Sequence, residues 1–286
     1  MKSSARNISF LTFILISMLL ISCAPQKKDA FDQVVMQSQQ QIVGGNYQKA
    51  LDYYLVAIKK YPNDKNLEEN YLITVKRVKQ LADTAQEVEN FVVAEKIYSV
   101  LLKNYSHFKM FDKSLSFSKR SLSDNLKNCK INRSEKQSRH YLDAGEFEKS
   151  LRIYRVIYRE YPDDPVLLTN LINCILDIKF LAEIALEKED FLSAGKIYYA
   201  LLKNHKDLNK FYGSLSLPKE FLEEGLENCR SQLTKKGLEE YRKGNLAEAI
   251  TIWKGILKFD PDNQQIKKAI ETATAQLKNL RKKENQ

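Results

Sequence analysis

The chain has 286 residues, with 46 Lys and Arg against 36 Asp and Glu and a formal net charge of +10. Such a basic excess ordinarily raises nucleic acid as a partner; the N-terminal segment described next argues against it, and the basic residues are scattered among acids as on solvated helix faces. Only nine Gly and six Pro interrupt long amphipathic runs, so the body reads as all-helical.

The chain opens with Lys2 and Arg6, an apolar run from Ile8 to Ile21, and the polar stretch Ala24-Pro25-Gln26-Lys27-Lys28. This is the layout of a secretory signal peptide. The run is about 14 residues, shorter than the roughly 20 that span a bilayer. Leu20-Ile21-Ser22-Cys23 resembles the lipobox of bacterial lipoproteins. The resemblance implies cleavage after residue 22, diacylation of the Cys23 thiol, and a lipidated tether over 23–29. More than one acyl chain gives stable anchoring, since each buried CH₂ contributes roughly 0.8 kcal/mol. In such lipoproteins Asp after the lipidated Cys tends to retain the protein at the inner membrane. Here Ala24 follows, which favours the outer membrane, facing the periplasm, in an organism that has one. Processing leaves 44 basic against 36 acidic residues, a charge of +8.

The remainder is a tandem duplication, and internal repeats decide architecture before motifs do. The segment Glu89–Asn104 returns 100 residues later as Glu189–Asn204, with ten of sixteen positions identical. Tyr61-Pro62-Asn63-Asp64 recurs as Tyr161-Pro162-Asp163-Asp164, and Ser114-Leu115-Ser116 as Ser214-Leu215-Ser216. A partial third copy begins near Gly237, with Gly244-Asn245-Leu246 standing 99 residues after Gly145-Glu146-Phe147. Cys129 and Cys229 lie one repeat apart and read as one buried packing position occurring twice. With Cys174 the mature body holds an odd three cysteines, so no complete disulfide framework forms, although an oxidising compartment permits one bridge.

Each large unit divides again. Gly45, Tyr47, Ala50, Tyr54, Ala57 and Pro62 resemble the second half of a tetratricopeptide repeat: turn glycine, aromatic, small residue, aromatic, small residue, closing proline. Gly145, Phe147, Ser150, Tyr154 and Pro162 follow the same spacing, as do Gly244, Leu246, Ala249, Trp253 and Pro261. The intervening units depart from it: Glu89 and Glu189 replace the glycine, and Ser106 and Lys206 stand at the proline position. They keep Phe91, Ala94 and Tyr98, and Phe191, Ala194 and Tyr198. The resemblance implies an all-α α-solenoid of about five helix pairs over 30–286, with units near 30–64, 65–117, 118–163, 164–217 and 218–262 and a capping helix at 263–284.

The steps between turns are 44 and about 55 residues, longer than the family's 34. The excess is assigned to long first helices, near 65–88, 118–143, 164–188 and 218–243, and to two connectors, Ser106–Phe117 and Lys206–Leu217. Phe108, Met110 and Phe111, and Leu208, Phe211 and Tyr212, make these connectors apolar enough to fold back between pairs. Helix starts are marked at Asp164-Pro165 and at Ser216-Leu217-Pro218. Ile266, Ile270, Ala273, Leu277 and Leu280 form the apolar stripe of the cap, and Arg281–Gln286 reads as unstructured.

No pattern supports an enzyme. His107, His140 and His205 lack metal-ligand spacing, and HExxH, GxSxG and P-loop patterns are absent from the sequence. Glu87, Glu89, Glu187, Glu189 and Asp190 read as charged helix ends. Tyr47, Tyr54, Tyr98, Tyr154 and Tyr198 are assigned to the core, and Tyr53, Tyr71, Tyr199 and Tyr241 to partly exposed positions. In tetratricopeptide proteins the first helix of each pair lines the inner surface. The resemblance thus carries Lys79, Asp83, Arg139, Lys179, Glu183, Tyr241 and Arg242 to a groove of mixed charge. It implies a non-enzymatic scaffold without cofactor or small-molecule substrate, binding other envelope proteins or peptides and attached to the membrane by lipid. The alternative is recognition of an acidic envelope polymer, cell-wall glycan or lipopolysaccharide, by the basic surface.

Overall fold

A computed structural model of the protein describes residues 30–215 and 217–284. The signal peptide 1–22, Cys23, the tether to residue 29, Ser216 and the last two residues lie outside the described residues. The described chain is an all-α solenoid of helix hairpins. Its helices are α1 (30–43), α2 (Tyr47–Lys60), α3 (Lys65–Glu87), α4 (Phe91–Phe108), α5 (Lys119–Asp143), α6 (Phe147–Glu160), α7 (Pro165–Glu187), α8 (Phe191–Ser214), α9 (Lys219–Arg242), α10 (Leu246–Ile256) and α11 (Gln264–Glu284). They form two compact units divided between Asn132 and Arg133, within α5.

The five turns inside the hairpins are built alike. Gly45, Gly145 and Gly244 have φ of 70°, 71° and 84°, and Glu89 and Glu189 have φ of 55° and 53°. In each, the next residue's N–H reaches back five positions: Asn46 to Gln41, Asn90 to Ala85, Glu146 to Tyr141, Asp190 to Ala185 and Asn245 to Glu240, at 2.8–2.9 Å. This is the Schellman closure, which occupies carbonyls that the ending helix leaves without partners. The residue that makes this bond also stands immediately before the next helix. Asn90 and Asp190 cap that helix through side-chain oxygens, accepting from the N–H of Val93 at 3.4 Å and of Ser193 at 3.1 Å. One left-handed residue and one cap therefore reverse the chain.

Between hairpins, Asp64 and Asp164 cap α3 and α7, each accepting two first-turn N–H groups at 3.1–3.3 Å. Pro165 occupies the first turn of α7, where its missing N–H costs nothing. Pro218, in contrast, stands just ahead of α9.

Small residues set helix separation. Ser38 on α1 is buried and donates to the Ala50 carbonyl on α2 at 3.0 Å. Ser138 on α5 meets the Ser150 hydroxyl on α6 at 2.7 Å. Ala82 and Ala94, Ala182 and Ala194, and Gly237 and Ala249 repeat that 12-residue spacing and are likewise buried. A Cβ placed on Gly237 would stand 2.2 Å from the Trp253 indole nitrogen. Tyr54, Tyr98, Tyr154, Tyr198 and Trp253 fill the adjoining space, each at most 4% exposed. Tyr71, expected to be partly exposed, is instead buried against Tyr54, with ring centroids 5.9 Å apart.

The two expected connectors are largely helical. Leu101, Tyr105 and Phe108 continue the three- and four-residue step of α4, and a 3₁₀ turn over Lys109–Ser114 follows. Phe108 meets Tyr105 and Phe117 edge-on at 5.1 and 6.2 Å. The second copy has no 3₁₀ turn: α8 itself runs to Ser214, burying Leu208 and Phe211, with Phe211 edge-on to Tyr158 at 5.3 Å. An unbroken apolar periodicity outweighed the absence of a regular repeat length. The side chains of Met110 and Tyr212 lie outside the described residues. At the C-terminus α11 extends to Glu284, so most of the segment expected to be unstructured is helical. Cys129, Cys174 and Cys229 are free and buried, and burial, with Glu95 nearby for Cys129, pushes the Cys129 and Cys229 thiols up to about 11.

Two substitutions test this account. Ala194→Leu adds three carbons to a site with no exposed surface and should cost about 1–3 kcal/mol by overpacking, read as a lower urea midpoint at unchanged slope. Glu189→Gly relieves a left-handed side-chain-bearing residue, a conformation costing roughly 1–2 kcal/mol. After the added unfolded-state entropy, it should raise stability by about 0.5–1 kcal/mol; a loss would refute the turn assignment.

Candidate functional site

The seven candidate groove residues fall into three kinds of place. On α3, Lys79 pairs with Asp83 at 2.7 Å, and Asp83 also accepts from the Tyr98 hydroxyl at 2.7 Å. Gln86 and Asn125 lie beside the same hydroxyl, at 3.0 and 3.4 Å. Burial first, and then the Asp83 carboxylate, raise the Tyr98 pKa above the ordinary tyrosine value. One copy later, Lys179 pairs with Glu183 on α7 at 2.7 Å. Both are intrahelical pairs four residues apart, each worth about 0.3–0.5 kcal/mol. Their charges are largely met within the chain.

Arg139 on α5 holds Glu135 at 3.2 Å, and Glu135 in turn accepts from Asn170 on α7 at 2.8 Å. Beyond this bridge Arg139 borders an open cleft of about 390 Å³, with Leu142 and Asp143 of α5 and Asp177, Phe180 and Leu181 of α7. Phe180 is 61% exposed and Leu176, one turn earlier, 41%. Neither residue stands at a repeat-packing position. A position-by-position comparison of the copies would have found them, since Lys76 and Gln80 stand 100 residues earlier. By length and composition α7 could cross a membrane, yet Leu167, Leu171, Ile175 and Ile178 are buried in the helical core.

Tyr241 and Arg242 come together. Arg230 pairs with Asp260 just ahead of α11 at 2.8 Å, while twelve residues further along α9 Arg242 lies beside Gln276 and Asn279 of α11. The two helices therefore run in the same direction, with α10 packed against both. Between them lies a groove of about 1050 Å³. Leu238, Tyr241, Trp253, Ile266 and Ala269 supply its apolar lining, and Lys235 and Lys268 its charged edge. Tyr241 continues into a second depression of about 560 Å³, which also holds Arg242, Leu246 and Leu280. Lys235, Leu238 and Lys268 were missed because no repeat-packing position marks them.

Chemically, the two depressions beside α9 and α11 are open and largely apolar with charged margins, whereas the α5/α7 cleft is equally polar and apolar. Among the described residues no group of three or more His, Cys, Asp or Glu side chains is placed to hold a metal ion. Asp190 keeps a lowered pKa against a desolvation cost because Ser193 and Leu192 donate to it and Lys196 lies near, as suits a helix cap.

A tetratricopeptide repeat family model matches residues 30–64. That segment, α1 and α2 with the turn between them, is similar to a tetratricopeptide repeat. No curated protein matches the sequence. Among solved structures, a "Circular tandem repeat protein with novel repeat topology and enhanced subunit contact surfaces" aligns over 89% of this chain at 16% identity and a TM-score of 0.24. The chain spans 64% of that protein's length.

The groove depends on the anchorage of α11. Asp260 accepts from Arg230 at 2.8 Å and from Asn263 at 2.8 Å. Partial burial opposes ionisation, but these partners hold its pKa below the ordinary carboxylate value. A depressed pKa means that the contribution is present above the unfolded value of about 3.9 and is lost as pH falls through the folded one. Asp260→Asn should therefore lower stability by about 0.5–1 kcal/mol at neutral pH and converge with wild type on acidification. Parallel curves from pH 7 to 3 would refute the assignment.

Proposed function

We propose that this protein is a membrane-anchored, non-enzymatic scaffold that binds other proteins or peptides at the bacterial cell envelope. The observation that carries the reading is the presence of the exposed apolar side chains Phe180 and Leu238 and the half-buried Tyr241 in open grooves between parallel-running or neighbouring helices. Such surfaces suit an extended or helical segment whose side chains enter one by one. The tetratricopeptide match supports the same reading, because repeats of that family typically bind proteins. The Leu20-Ile21-Ser22-Cys23 motif supports lipid attachment, with Ala24 favouring an outer membrane and a periplasmic body. Similar lipoproteins assist assembly of outer-membrane proteins, secretins or pili, and service to an envelope or secretion complex is proposed on that ground.

A second reading has one specific observation in its favour. Helix α5 carries seven Lys and Arg against three acids, and α11 six against two. Binding of an acidic envelope polymer by these helices would weaken steeply with salt, whereas apolar anchors hold affinity.

Crosslinking in intact cells, followed by affinity purification and mass spectrometry, separates the readings. The anchored protein should recover a small set of envelope proteins that Cys23→Ser does not. Co-purifying glycan or lipopolysaccharide without protein would favour the polymer. Cys23→Ser itself should leave the chain soluble or uncleaved. Continued membrane fractionation of a correctly processed chain would refute the anchor.

A further inference from the structure

Resting on the scaffold reading, we infer that the α9/α11 groove is the docking site for an acidic peptide segment bearing aromatic or aliphatic anchors. The floor gives the apolar half of the argument. Leu238 is 38% exposed and Leu280 50%, and Tyr241 joins the two depressions that they border. Leu238 from α9 and Leu280 from α11 thus give apolar surface to two adjoining depressions.

The margin gives the other half. Lys235, Lys268 and Arg242 line the trough, and none of them forms an ion pair among the described residues. The acid that lines the same trough, Glu227, is held by Arg230. The surplus is therefore positive along the whole length, and it surrounds apolar surface. A segment with carboxylates flanking an apolar side chain satisfies both; a basic segment would meet like charge, and a neutral one would leave the cations unused. From Glu227 to Arg242 the groove follows α9 for about 22 Å at roughly 1.5 Å per residue. An extended chain rising about 3.3 Å per residue fills it with about seven residues.

The sequence supports the assignment by difference. The α5/α7 cleft carries Asp143 and Asp177 beside Arg139, so its charge is mixed and its preference should differ. The two sites can thus be separated experimentally.

The full chain, purified in detergent and immobilised, is panned against a library of random octapeptides. Enriched peptides should carry a net negative charge and at least one aromatic or aliphatic residue. A synthetic member of that set, followed by fluorescence anisotropy, should lose affinity about tenfold or more on Leu238→Asp and on combined Lys235→Glu and Lys268→Glu. Val156→Asp, at an exposed position of α6 that lines neither depression, should leave it unchanged. Panning on the charge-reversed variant should yield basic peptides instead, a gain that misfolding cannot produce. Enrichment of neutral or basic peptides by the wild-type protein, or of none, overturns the inference. Loss of binding on Phe180→Asp alone overturns it but leaves the scaffold reading standing, with the cleft on α7 as the site. Poly-glutamate binding as tightly as the selected peptide would overturn the peptide assignment in favour of the polymer. Failure of the scaffold reading is scored separately, by the crosslinking of the anchored protein.

Discussion

Close approach of two helices at a pair of small residues, twelve positions apart, is the contact on which the other features depend. Ser38 with Ala50 and Ser138 with Ser150 touch directly, and Ala82 with Ala94, Ala182 with Ala194 and Gly237 with Ala249 occupy the same spacing. Helix axes that approach this closely fix the path of the turn between them, because only about a dozen residues separate the contact on one helix from that on the next. They also leave a wedge of space beside the contact. A single large aromatic ring fills it, Tyr54, Tyr98, Tyr154, Tyr198 or Trp253. The small residue and the ring are two halves of one requirement, since interiors close-pack and tolerate neither void nor excess.

The turn follows from the same geometry. With so few residues available, the chain reverses through one residue at positive φ and one that bonds back to the ending helix. Glycine meets the first need without strain. At Glu89 and Glu189 a side chain is held in that conformation instead, which the surrounding helix pair must over-determine. The repeat is thus defined by backbone geometry and contact distance, and glycine is one solution to it.

This explains what was legible in the sequence. Helix class, hairpin turns and the ring positions could be read because each rests on residue types that recur at fixed spacing. The partner of each small residue went unread, since Ser38, Ala82, Ser138, Ala182 and Gly237 share no residue type, only size and a separation of twelve. Tyr71 was placed at the surface because a hydroxyl leaves tyrosine free to sit on either side. Its hydroxyl is in fact buried without a hydrogen-bond partner, and the ring's apolar area outweighs that cost. Repeat length points to connectors after α4 and α8, whereas the continuing three- and four-residue apolar step extends both helices. For the candidate site, matching by pattern put forward Tyr241 and Arg242, and both border one depression. It could not show that Lys79 and Lys179 are occupied by carboxylates four residues on, nor that Leu238 is exposed, because both depend on how a helix is turned.

The two copies separate what packing demands from what the surface is free to change. Tyr98 and Tyr198 hold the same place, yet their neighbours differ in a coordinated way. In the first copy Asn125 donates to the Tyr98 hydroxyl at 3.4 Å, and Asp83 accepts from it at 2.7 Å. In the second copy position 225 is glycine, and a Cβ there would stand 2.7 Å from the Tyr198 ring. The Tyr198 ring meets Phe221 edge-on at 6.3 Å, while Glu183 pairs with Lys179 as Asp83 does with Lys79. A polar network has been exchanged for aromatic packing at constant fold. On the outward faces the exchange goes further: Lys76 and Gln80 in one copy correspond to Leu176 and Phe180 in the other, both exposed. Such apolar residues contribute little to folding where they stand, and exposed apolar surface that folding does not use is what an interaction site requires. The duplication thus supplied a stable frame twice, and the second copy carries apolar anchors where the first carries only solvated polar ones.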